Sequence, residues 1–301
     1  MERKLVVVCG AAGNQGGAVV QSMLKTNRWN VLGLTRDPEG TKAKSLRDKG
    51  IILKKADLRD KGSLASAFEG AHSVYGVTQP FSADYKKSDP KGEVEQGRNI
   101  VDACVQSGVS HLVLSTVFGR NMQGTGVSHL DSKSQIVEYL KKTKVPYTIL
   151  KPASFMDNIG TSFFPVRKGY VRGFTDTDVK IPYIATMDIG EFAALFFEQP
   201  SLYHKTEMNL MADLVSGDDL AKILSKIRNG EPFKYKAIPR LIMRLFAKEF
   251  YQMRISFEKV GRPPYPEEYA DALRTCKEMR PEMLSVEQYL LSRGFDKKQL
   301  S

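Results

Sequence analysis

The sequence predicts an α/β protein with a doubly wound parallel sheet over residues 1–152 and a smaller mixed α/β lobe over residues 153–301. Three observations carry this reading. Short apolar runs rich in β-branched residues recur through the first half, separated by segments with helical spacing of apolar residues. Strands alternating with helices of that length make right-handed βαβ units and a parallel sheet. A glycine-rich stretch stands directly between the first apolar run and the first helix, and past Pro152 the alternation loosens.

The elements follow in order. Residues 5–9 form a continuous apolar run, as suits a strand buried on both faces. Residues 16–25 carry small and apolar residues at helical spacing. Residues 31–35 read as a second strand, and residues 50–53 as a third that leads to Ala56, Asp57 and Leu58. A fourth strand, residues 73–78, ends at Gln79 and Pro80. Residues 94–107 read as a helix stopped by Gly108. Residues 111–116 are a fifth strand, 136–142 a helix and 147–150 a sixth strand. In the second half, residues 169–174 suit a short strand. Residues 187–197 suit an amphipathic helix, expected with its neighbours, about 185–200, to pack back on the sheet. Residues 218–227 read as a helix capped by Ser216, with acids in its first turn and lysines later, as the helix dipole favours. From Pro239 the chain reads as mostly helical and rich in charge and aromatics. This lobe is expected to close over the carboxyl ends of the strands, where such sheets bind ligands.

Composition narrows the class. The 301 residues are 42% hydrophobic and 26% charged, near the average of globular proteins and enough for a full core. No apolar run approaches the length of a bilayer span. The basic N-terminus and its apolar run lead at once into glycines, which reads as a strand and not as a signal peptide. Cys9, Cys104 and Cys276 are far apart, with no CxxC or Cys/His spacing, so neither a metal site nor a disulfide scaffold is expected. A reduced, cytoplasmic compartment fits. The net charge of +11 suits nucleic acid or an anionic small molecule such as a phosphorylated cofactor. The cations are spread along the chain without a nucleic-acid-binding motif. The expectation is a small anionic ligand, with no specific nucleic acid and no membrane partner. Nothing in the sequence specifies an oligomeric state.

The strongest signal is Gly10, Ala11, Ala12, Gly13, Asn14, Gln15, Gly16 and Gly17. A tight turn out of a strand wants the first glycine of such a loop. A pyrophosphate approaching the backbone wants the second, and close helix–strand packing wants the third. The helix that follows offers unpaired N–H groups and the positive end of its dipole to phosphates. This is the Rossmann-type context for a dinucleotide. The second strand then ends at Thr35, Arg36 and Asp37. An acid at that place binds the ribose hydroxyls of NAD, and an arginine accommodates the 2′-phosphate of NADP. Arg36 is the first polar residue after the strand, so NADP(H) is the expected cofactor, with Asp37 as the turn former before Pro38. Lys42 either adds charge there or is a solvated surface lysine.

The GxxGxxG spacing resembles the extended short-chain dehydrogenase/reductase proteins, and GAAGNQGG resembles the GATGxQGG loop of the NmrA-like family. The resemblance runs over residues 4–230. It includes LTRDP, ADLRD, VTQPF, EVEQGRNIVDAC, HLDSK and KPASFMDN, and it fades toward the C-terminus. It implies an atypical short-chain dehydrogenase/reductase that binds NADP(H). Asp57 and Leu58 match the family's adenine-contacting pair, although Asp57 also suits a cap. Thr78 and Gln79 then lie beside ribose and pyrophosphate, unless they only end the strand before Pro80. Ser154, Phe155 and Asn158 match residues lining the nicotinamide end of the cleft, with Phe155 and Met156 alternatively core residues. Ser115 and Thr116 either touch ribose or substrate or serve as turn groups. Phe163, Phe164 and Tyr170 either wall a pocket for a flat apolar substrate, such as a quinone or aromatic carbonyl, or pack the lobe core.

Ordinary short-chain reductases pair a tyrosine with a lysine four residues later, the lysine lowering the phenol's pKa and the phenol donating the proton. Here Lys133 holds the lysine place and His129 stands where tyrosine would. Isoflavone-type and benzylic ether reductases also keep the lysine without the tyrosine. Lys133 is therefore either a general acid or base helped by His129, a residue type that titrates near neutrality, or only a cofactor anchor. If Ser132 caps a helix with Gln135 completing a capping box, His129 precedes that helix and need not share a face with Lys133. Two functions follow from the resemblance. The first is an NADP(H)-dependent oxidoreductase acting on a small molecule. The second is a non-catalytic NADP(H) redox sensor that binds a regulatory protein partner.

Overall fold

The computed structural model describes residues 3–81, 88–119, 126–297 and 299. The chain divides into two compact units, residues 1–151 with 186–208 and residues 152–185 with 209–301.

In the first unit, β1 (Lys4–Val8), α1 (Asn14–Thr26), β2 (Trp29–Thr35), α2 (Thr41–Arg47) and β3 (Ile52–Lys55) build one half of the sheet. α3 (Lys61–Phe68), β4 (Ser73–Val77), α4 (Pro90–Gln106), β5 (His111–Ser115), α5 (Ser128–Lys141) and β6 (Tyr147–Pro152) build the other. In the second unit lie β7 (Ser154–Phe155), β8 (Val166–Arg167), β9 (Tyr170–Gly173) and β10 (Ile181–Ile184). α6 (Thr186–Glu198) and most of β11 (Thr206–Leu210) belong to the first unit. β12 (Asp213–Val215), α7 (Gly217–Ile227), β13 (Lys234–Ala237), α8 (Arg240–Phe246), α9 (Lys248–Val260), α10 (Glu267–Met279) and α11 (Val286–Ser292) complete the second.

The seven-stranded sheet runs β3-β2-β1-β4-β5-β6-β11. The pairs from β3 to β6 are parallel. Its order reverses between β1 and β4, which makes the carboxyl ends of those two strands the switch point where such sheets take ligands. Val6, Val7 and Val8 are fully buried, so β1 lies in the middle with both faces covered. One face packs on α3, α4 and α5 through Leu34, Phe68, Ile100, Cys104, Leu112, Ile136 and Ile149. On α1 packs α6, where Glu191 accepts from Ser22 at 3.0 Å and pairs with Lys25 at 2.6 Å.

The structure extends several elements and corrects one. α3 is a further helix, too short and too weakly periodic to read from its residues, and Asp60 caps it by accepting from Gly62 and Ser63 N–H. α4 begins at Pro90, with Asp89 capping Gly92. α5 begins at Ser128, two turns before the apolar residues that mark it in the sequence. The capping box at Ser132 therefore does not form. Ser132 lies buried inside the helix, and its hydroxyl is directed to Glu93.

In the second unit β12-β10-β7 and β13-β9-β8 are three-stranded sheets. Ser216 and Asp219 form a complete capping box on α7. Arg254 of α9 is buried; it donates to Asp176, to Glu258 at 2.6 Å and to the Ile238 carbonyl at 2.8 Å. Phe164 is a core residue, its ring 5.5 Å from that of Phe174. Phe163 is half exposed and packs on Phe250 at 5.9 Å.

Candidate active site

The glycine loop leaves β1 through Gly10, whose φ of +63° lies in the left-handed region that favours glycine. The loop closes on itself where Gly13 N–H donates to the Gly10 carbonyl at 2.8 Å, and Ala11 N–H ties it to Leu34 of β2 at 2.9 Å. Gly16 is the tightest point. A Cβ there would stand 2.3 Å from the Gly10 carbonyl oxygen and 2.7 Å from that of Cys9. Ala12 completes the turn, and Asn14 and Gln15 open α1. Gly13 is the N-cap of α1, no side chain caps the helix, and no acid occupies its first turn. The first amides of α1 are therefore left with their positive dipole end uncompensated. Beneath the loop, the Gln15 carboxamide oxygen accepts from Ser115 at 2.6 Å and from Tyr75 at 3.1 Å. Burial raises the Tyr75 phenol, which stays protonated and available to donate.

After β4, at the carboxyl end adjacent to β1, stands a buried polar cluster. Lys133 Nζ of α5 lies 2.8 Å from Glu93 Oε1 and 3.1 Å from Thr78 Oγ1. Thr78 donates to the same carboxylate oxygen at 2.8 Å, and Ser132 donates to the other. Glu93 is fully buried and Lys133 nearly so. Burial alone pushes the Glu93 carboxyl up, but the Lys133 ammonium and the three hydrogen bonds outweigh it and hold the group below the usual carboxylate range. The carboxylate holds the Lys133 Nζ in a fixed place. Glu93 escapes a reading of the sequence, and Ser132 reads there only as a cap. The available signal is the period of α4: Glu93, Gln96, Gly97, Ile100 and Cys104 share its buried face. Gln96 clamps the Gln79 backbone from both sides, accepting from its N–H at 2.9 Å and donating to its carbonyl at 3.2 Å.

The remaining candidates sort by surroundings. Arg36 is exposed at the end of β2, and Asp37 accepts from Glu39 N–H as a turn former. Lys42 is an exposed residue of α2. Asp57 accepts from Arg59 N–H at 2.9 Å, and the Leu58 carbonyl accepts from Asn99 at 2.9 Å. The Thr116 hydroxyl donates to the Leu150 carbonyl at 3.0 Å. His129 lies inside α5, one helical turn from Lys133 and on the same side of the helix. In the second unit, Ser154 and Phe155 form β7 beside Tyr183 and Ile184. Met156 is fully buried, and the Asn158 carbonyl accepts from Thr161. Among the described residues, no group of His, Cys, Asp and Glu is arranged to hold a metal ion.

Comparison with known proteins agrees with this frame. The oxidoreductase ptmS of Penicillium ochrochloron, an NmrA-like family domain-containing protein, is 29% identical over 258 residues, covering 78% of this chain and 76% of that one. The fold is that of NmrA, a negative transcriptional regulator solved with NADP (TM-score 0.76, 16% identity, covering 99% of this chain and 95% of that one). It is also that of the NADPH-dependent quinone oxidoreductase QOR2 of Escherichia coli, solved with NADPH (TM-score 0.75, 18% identity, 96% and 99%). The model of the NmrA-like family matches residues 2–290, and the chain belongs to the NmrA-like family.

Proposed function

We propose that this protein is an NADP(H)-dependent oxidoreductase that reduces a small molecule of the quinone or aromatic carbonyl class. One observation carries the reading: an uncapped helix amino terminus and a buried, ion-paired lysine stand at the carboxyl ends of two adjacent strands. The first supplies phosphate binding, the second a fixed proton donor. The names of the curated relatives and the nicotinamide cofactors of the similar folds support it. The residues fit the dinucleotide. The loop from Gly10 to Gly16 and the first amides of α1 would take the pyrophosphate. Arg36 would take the 2′-phosphate by a charge-assisted, bidentate contact. Asp57 and Leu58 would face the adenine, and Thr78, Gln79 and Thr116 the ribose and pyrophosphate. When bound, NADPH supplies a hydride. Lys133 would then hold a hydroxyl of cofactor or substrate, and Lys133 or His129 would deliver the proton that a reduced carbonyl oxygen needs.

A second reading has a specific observation behind it. His129 replaces the tyrosine of ordinary reductases, and the Lys133 ammonium is already engaged by Glu93 and Thr78. A protein that only binds NADP(H) and reports it to a protein partner needs no more than this. NADPH oxidation against a panel of quinones and aromatic aldehydes separates the two. Lys133→Met is best tested in a Glu93→Gln background, which avoids leaving an unpaired buried carboxylate. The expected result is turnover by the wild type and a loss of about 100-fold in the double variant, with NADPH still bound. Tight NADPH binding without turnover on any substrate supports the sensor instead.

A further inference from the structure

The β13-β9-β8 sheet and the helix after it present a surface that the proposed reaction does not use. β13 pairs with β9 so that Lys234 faces Tyr170 and Lys236 faces Arg172, and β8 sets Arg167 opposite Tyr170. Side chains alternate across a strand, so these five residues share one face, while Val166, Val171 and Tyr235 share the other. The four cations are exposed. Lys236 Nζ lies 4.1 Å from the Tyr170 ring centroid and the Arg172 guanidinium 5.9 Å from it, so the ring is capped by charge. Tyr170 is thus part of a cationic sheet face.

β13 runs straight into α8. There Leu241, Ile242, Leu245 and Phe246 are 67%, 50%, 66% and 84% exposed, whereas Met243 is buried. At helical spacing the four exposed side chains form one continuous apolar arc, with exposed Arg244 at its flank and Lys248 just beyond its end. From Pro232 to Lys248 the sequence holds five cations and no acid, of which Arg240 is paired with Asp176 and Glu258, and from Phe163 to Thr175 three cations and no acid.

We propose that this surface docks the protein reversibly on an anionic lipid bilayer, the cations against the headgroups and the apolar arc of α8 at the acyl boundary. Protruding aliphatic side chains beside exposed cations are the chemistry of interfacial attachment. A basic segment is drawn to an anionic leaflet, and a short apolar arc requires that second attraction to bind. A second copy of this chain would bring like charges face to face. Single-stranded nucleic acid would use open aromatic platforms, and the one ring on this sheet face is already covered. Attachment needs no spanning segment; among the described residues no helix is long and apolar enough to cross a membrane. The expectation of no membrane partner came from the lack of spans; the proposal departs from it on a surface built by strands some sixty residues apart in sequence.

The test is flotation of the full chain with vesicles of phosphatidylcholine alone and of phosphatidylcholine with about one third phosphatidylserine. The protein should float with the anionic vesicles only, and about 0.5 M salt should release it. Leu245→Glu/Phe246→Glu and Lys234→Glu/Lys236→Glu should each weaken binding at least about tenfold while keeping the wild-type circular dichroism. Failure to float with anionic vesicles overturns the proposal, as does binding that both double variants retain. A dimer or an oligonucleotide complex that these substitutions abolish, in protein that ignores vesicles, assigns the surface to that partner and also overturns it.

Discussion

At the scale of single residues, Lys133 and Glu93 decide the character of the site. Each is buried, and the two are paired at 2.8 Å. Lys133→Met alone strands a carboxylate in a dry site and should cost about 3–5 kcal/mol of stability. Adding Glu93→Gln should restore most of that loss, because the amide needs no counter-charge. Thermal or urea unfolding of the two single variants and the double variant reads this coupling directly. A double variant no more stable than Lys133→Met would show that the pair is not the unit described. Lys133 stands out in the sequence by its place after the fifth strand, but its partner does not. Glu93 sits in the first turn of α4, where an acid is ordinary for dipole reasons alone, and only its alignment with Ile100 and Cys104 betrays that it points inward.

At the scale of elements, the glycine loop joins sequence to structure most tightly. Gly16→Ala places a methyl group against two backbone carbonyl oxygens that cannot move without opening the β1–α1 turn. The expected cost is about 2 kcal/mol or more, with NADPH affinity falling in the same variant. An unchanged melting temperature would refute the tight packing. Elements with strong period were legible: β1, β4, β5 and α6 are dense in apolar residues, and α7 announces itself through Ser216. The start of α5 was not, because Ser128 to Gln135 carries mostly polar residues and is held by burial of Ser132 and Lys133 in a polar cluster rather than by apolar spacing. The strands β7, β8, β10 and β12 are two to four residues long, too short for alternation to register.

At the scale of the whole molecule, stability should depend on pH through His111. It opens β5 and is buried; its Nε2 donates to Thr148, whose hydroxyl in turn donates to the Tyr203 carbonyl. Its Nδ1 has no partner among the described residues, so a proton there would be buried without an acceptor. Burial first, then His204 and His72, lowers its pKa to about 4 from 6.5. The unfolded chain binds this proton at higher pH than the folded one. The contribution is therefore whole above about pH 6.5, falls as the pH drops, and is gone below about pH 4, a change of about 3 kcal/mol. Urea unfolding across that window should show the slope in the wild type, and His111→Gln should flatten it. An equal slope in both would place the acid sensitivity elsewhere.

The measurement closest to the central claim is calorimetric titration of NADPH and NADH into the wild type and Arg36→Ala. On the proposed function, the uncapped α1 terminus would take the pyrophosphate that both nucleotides share, and Arg36 would take the 2′-phosphate that only NADPH carries. The wild type should prefer NADPH, and Arg36→Ala should lose at least about tenfold in NADPH affinity while its NADH affinity stays as it was. Equal NADPH binding by both proteins, or no binding by the wild type, would contradict the account.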